Sequence, residues 1–133
     1  MKRIEFHNSD AWIFMATANS KGPEGITLRD LIASADYLNH AIPTAEELER
    51  AVTRLRAAGL LWVQGSSFGL TDPGKELIAR ISIAKKQALG QMKSLADYLA
   101  SSEFADSNFA AWRLRPEELA TAYDAYWEEF RKG

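Results

Sequence analysis

The chain has 133 residues, 47% of them hydrophobic and 26% charged, which is enough apolar material for one real core and excludes disorder throughout. Sixteen Lys and Arg against eighteen Asp and Glu leave a net charge of −2, so no global positive field draws the protein to nucleic acid and any such contact has to be local. The absence of cysteine excludes disulfides, Cys-ligated zinc, iron–sulfur clusters and thiol nucleophiles.

The elements follow in chain order. Asn8 or Ser9 can cap a first helix over about 10–20, with Trp12, Ile13, Met15 and Ala16 on its apolar face, and Lys21-Gly22-Pro23-Glu24-Gly25 ends it. Thr27 and Asp30 resemble a capping box for a second helix, striped by Leu28, Leu31, Ile32 and Ala35 and closed by Asn39 and His40. Thr44-Ala45-Glu46-Glu47 is a full capping box, because the threonine oxygen can accept the Glu47 amide while the Glu47 carboxylate reaches back. Leu48, Ala51, Val52 and Leu55 then mark one face of a third helix over 44–58. Gly59 ends that helix in the left-handed conformation glycine tolerates.

From Leu60 the period changes. Leu60–Gln64 and Phe68–Thr71 are short β-prone runs around Gly65-Ser66-Ser67, which predicts a hairpin. Thr71 or Asp72 caps a long helix beginning at Pro73, and Leu77, Ile81, Ala84, Ala88, Met92, Leu95 and Leu99 recur at helical spacing to about 101 despite Gly90. An irregular stretch holding Phe104, Phe109 and Trp112 follows. Pro116-Glu117-Glu118 opens a final helix striped by Leu119, Tyr123, Trp127 and Phe130.

Three helices and a two-stranded ribbon form the order of a winged helix-turn-helix. The run from Glu47 to Leu61, with Leu55, Gly59 and Leu60, then Leu70, Thr71 and Gly74, resembles the winged-helix half of MarR-type and PadR-type transcriptional regulators. The resemblance covers roughly 10–78. The expected fold class is therefore mainly α: a winged helix-turn-helix domain over 1–75 and a helical extension over 76–133, comprising the long helix and the final amphipathic one.

The resemblance implies that the outward face of helix 44–58 enters the major groove of double-stranded DNA. Stepping 100° per residue from Leu48 turns Glu46, Arg50, Thr53 and Ala57 away from the core, with Glu49 and Arg54 flanking them. Thr44, Arg50, Thr53 and Arg54, with Ser66 and Ser67 of the wing, are the expected DNA contacts. The charges oppose this. Glu46 and Glu49 stand at the leading end of the helix, the wing carries no Arg or Lys, and residues 1–72 hold seven basic groups against nine acids. A basic strip, Lys75, Arg80, Lys85, Lys86 and Lys93, lies instead along the long helix, where it serves as a solvated face or a backbone contact. The alternative is a winged helix used for protein contacts.

Trp12, Trp62 and Phe68 fall on inward stripes and are expected to be structural. His7 and His40 stand 33 positions apart without acids at ligand spacing, so no metal site is expected, and no cofactor either. No nucleophile elbow, phosphate loop or dinucleotide fingerprint occurs, so an enzyme is not expected. The C-terminal stripes must be buried on the chain's own core or on a second subunit, since wetting them forgoes ~25 cal/mol per Å2, and a homodimer through these helices is the expected arrangement. The charged start, Met1-Lys2-Arg3-Ile4-Glu5, and charge-broken apolar runs predict a cytoplasmic protein without a membrane partner.

Overall fold

A computed structural model describes residues 4–19, 24–84, 88–101 and 111–132. Among these are six helices, α1 (Asn8–Ala18), α2 (Leu28–Asn39), α3 (Ala45–Ala57), α4 (Asp72–Ala84), α5 (Ala88–Ser101) and α6 (Pro116–Lys132). They enclose a small antiparallel sheet, β1 (Ile26–Thr27), β2 (Leu61–Gln64) and β3 (Ser67–Leu70), in the order β1-β3-β2. The protein is thus mainly helical with one three-stranded sheet. The junction at 85–87, on which the expectation of a single long helix turns, lies outside the described residues, as do Phe104, Phe109, Lys85 and Lys86.

α1 is the central element. Every residue from Asp10 to Thr17 is buried, because α2, α3, α4, α5 and β3 all pack on it. An amphipathic stripe was the wrong description of this helix: one covered on all sides is apolar all round. It also begins one or two residues earlier than a cap at Asn8 or Ser9 would place it. His7 is the N-cap, and the Asp10 carboxylate three residues on accepts the His7 amide at 2.8 Å. The Trp12 indole donates to the Ala35 carbonyl at 2.8 Å and ties α1 to α2.

α3 has the capping box its sequence encodes. Thr44 Oγ1 accepts the Glu47 amide at 3.1 Å and Glu47 Oε1 accepts that of Thr44 at 2.9 Å. Thr44→Ala should lower stability by about 1 kcal/mol in urea denaturation, the usual loss when a helix amide is left without its cap. Gly59 has φ +76 as expected, and Thr71 Oγ1 both accepts the Gly74 amide at the start of α4 and donates to the Gly59 carbonyl.

The hairpin pairs Leu61 with Leu70 and Gln64 with Ser67. Its third strand, β1, was not foreseen. Two residues carry no period, and Thr27 serves at once as the last strand residue and as the N-cap of α2, where its oxygen accepts the Asp30 amide.

The C-terminal helices fold back on this head. Leu77, Ile81, Leu95 and Leu99 are buried in the common core, α5 packs on α1, and α6 packs on α2. Three polar contacts fix α6: Tyr123 Oη donates to the Pro43 carbonyl at 2.6 Å, Tyr126 Oη donates to the Asp36 carboxylate, and Arg29 pairs with Glu129 at 2.7 Å. The bond to Asp36 pushes the Tyr126 hydroxyl pKa up to about 12. Among the described residues, most of the apolar area that called for a second subunit is therefore met inside one chain, with Trp127, 41% exposed, and Tyr98, 37% exposed, turned to solvent. Among the described residues, no helix is long and apolar enough to cross a membrane.

Candidate functional site

Leu48, Ala51, Val52 and Leu55 are completely buried beneath α3, so Glu46, Arg50 and Thr53 do lie on the side turned from the core. Ala57, expected among them, is buried to 6% exposure instead. The outward side is not bare. Residues 111–115, the non-helical approach to α6, lie along it.

Thr53 holds the backbone of Trp112 from both sides: Oγ1 accepts the Trp112 amide at 2.9 Å and donates to the Trp112 carbonyl at 3.5 Å. One turn earlier, Glu49 Oε2 accepts the Leu114 amide at 3.0 Å. The Trp112 ring meets Phe68 of β3 edge-on, with centroids 5.4 Å apart and planes at 83°. Trp112 and Leu114 are half-buried against the core while Ala111, Arg113 and Arg115 are exposed, the period of two that an extended chain produces.

Each expected DNA contact on α3 is engaged within the chain. Thr44 caps its own helix, Arg50 pairs with Glu46 at 2.6 Å, Thr53 holds Trp112, and Arg54 reaches Asp10 at 3.4 Å. Ser66 is exposed in the hairpin turn and Ser67 pairs with Gln64 and Thr27 in the sheet. Ser66 and Gly65 border a cleft with Thr27, Arg29 and the start of α6, apart from the α3 residues. A smaller hollow of about 270 Å3 lies between α3 and residues 111–115, which form a strap across it, and is lined by Glu46, Glu49, Arg50, Thr53, Arg54 and residues 111–113.

No protein-family model matches the chain, and no curated protein or solved structure shows a significant match to it. The site has to be read from its own chemistry.

Two charged features matter there. Asp10 is fully buried, and burial raises its carboxyl pKa above the usual value, while the His7 amide and the Arg54 guanidinium pull it back. Its Oδ1 has no hydrogen-bond partner among the described residues, so the His7 amide and the Arg54 guanidinium, both on Oδ2, are what compensate a charge held inside the protein. Glu49, which sequence reasoning took as a group repelling phosphate, is a hydrogen-bond acceptor for polypeptide. Asp10, Trp112 and Leu114 were not foreseen as parts of this face. The readable signal for the last two was the alternation Trp112-x-Leu114 just before the Pro116 helix start.

Proposed function

We propose that this chain is a winged-helix protein-interaction module whose α3 face receives polypeptide instead of a DNA groove. The helix order, the β1-β3-β2 sheet and the cap-and-glycine punctuation around β2 and β3 support the winged-helix assignment. The reading of the face rests on one observation: what lies on α3 is an extended segment, bound through its backbone by Thr53 and Glu49. The net charge of −2 and a wing turn without cations support the same choice, because DNA affinity is built chiefly on neutralised phosphates.

The regulator reading keeps one supporting feature, the sidedness of Arg50 and Thr53, and the two readings separate cleanly. Anisotropy with mixed-sequence duplexes should show no salt-dependent binding even at ~50 mM salt, either for the native chain or for Trp112→Ala with Leu114→Ala, which uncovers α3. Binding that appears in the uncovered chain, weakens with salt and is lost on Arg50→Ala would hand the face to DNA.

A further inference from the structure

Resting on that reading, we infer that the α3 face is a groove specific for an extended segment with an aromatic residue followed two positions later by an aliphatic one, and that residues 111–115 occupy it as an internal stand-in for that partner. The backbone contacts supply attachment without sequence preference. Thr53 takes both polar groups of one residue and Glu49 takes the amide two residues on, which fixes the register of any chain lying there. Selectivity comes from the side chains between those anchors. At the first position an aromatic ring can stand perpendicular to that of Phe68 in a T-shaped pair, as Trp112 does, and at the third an aliphatic group packs on the core, as Leu114 does.

The middle residue is turned to solvent. Arg113 stands there beside a hollow lined by Glu46 and Glu49 and also by Arg50 and Arg54, so the charges at that point are balanced and the middle position carries no selection. The strap lowers the apparent affinity for an outside segment by the fraction of time it is seated, so a partner engages by replacing Trp112 and Leu114 with its own aromatic and aliphatic groups.

The test uses the full chain and a fluorescein-labelled peptide with the sequence of residues 109–118. The Trp112→Ala, Leu114→Ala chain, with a cooperative melt and native helical circular dichroism, should bind it about tenfold or more tightly than the native chain does. Replacing the peptide's tryptophan by alanine should remove most of that binding, because an aromatic anchor carries a large share of such an interface. Equal binding to both chains, or indifference to the tryptophan, overturns the inference. A second measurement avoids the variant: saturating unlabelled peptide should speed hydrogen exchange at the Trp112 and Leu114 amides of the native chain, and unchanged protection there overturns it too. Failure of the peptide together with absent DNA binding sinks this inference alone. Salt-dependent DNA binding by the uncovered chain sinks the interaction reading beneath it.

Discussion

Arg54→Ala is expected to lower stability at neutral pH by about 3–5 kcal/mol, far more than removal of a surface arginine. The arginine is itself partly exposed, with 25% of its side chain reached by solvent, so the loss does not come from the guanidinium. It comes from Asp10, fully buried on α1, whose nearest compensating charge would be gone. The pH dependence identifies the cause. The folded-state pKa of Asp10 already lies above its ordinary 3.8, and loss of Arg54 moves it further up. A folded state that holds the proton more tightly than the unfolded one gains stability as pH falls through the raised folded value, and the gain is complete below the unfolded value. The deficit of Arg54→Ala should therefore be greatest at neutral pH and shrink as the carboxyl takes up its proton. Asp10→Asn in the same chain should recover much of the lost stability and flatten that dependence. Urea melts of the native chain and the two variants from neutral pH into the acid range check this, and a deficit independent of pH would refute it. A total stability of ~5–15 kcal/mol makes the single change severe. It also means that weakened DNA binding in an Arg54 variant would report unfolding as readily as a lost phosphate contact.

The fold was legible wherever a local rule carried it. The α3 capping box, the Gly59 stop, the hairpin around Gly65-Ser66 and the Thr71 cap are each fixed by neighbours within a few residues, and each is found where the sequence put it. What the sequence hid depends on partners far along the chain. α1 is covered by five elements, so its periodicity understated its burial, and β1 exists only because Phe68 and Ser67 lie alongside it.

The site divides in the same way. Helical geometry placed Arg50 and Thr53 on the outer side, yet it could not say that residues some sixty positions later lie over them. Glu49 shows the difficulty most directly. An acid on a reading helix looks like a defect when the imagined ligand is phosphate, and becomes an anchor once the ligand is a backbone amide. The same group therefore supports opposite conclusions depending on the partner, which is why the two readings part on salt dependence and on peptide binding and not on composition.

Gly25 and Gly59 allow the other large effect to be separated into its parts. Both have positive φ, +82 and +76, and alanine at either strains the backbone by about 1–2 kcal/mol. Around Gly59 nothing lies within 4 Å of an added Cβ, so Gly59→Ala should lose that amount and no more. At Gly25 the same carbon would fall 2.2 Å from the Phe68 carbonyl oxygen and 2.7 Å from the Trp62 ring. The strand cannot draw back without breaking the Ile26–Phe68 pairing that begins one residue later, so overpacking adds roughly 1–3 kcal/mol. Gly25→Ala should thus lose about 2–5 kcal/mol in urea denaturation, more than Gly59→Ala. Equal losses would mean that the sheet yields freely. The contrast reaches the α3 face as well, since the backbone oxygen that must shift belongs to Phe68, whose ring forms the T-shaped pair with Trp112. Hydrogen exchange at the Trp112 amide should rise in Gly25→Ala and stay unchanged in Gly59→Ala, because only the first substitution moves the surface on which the strap rests.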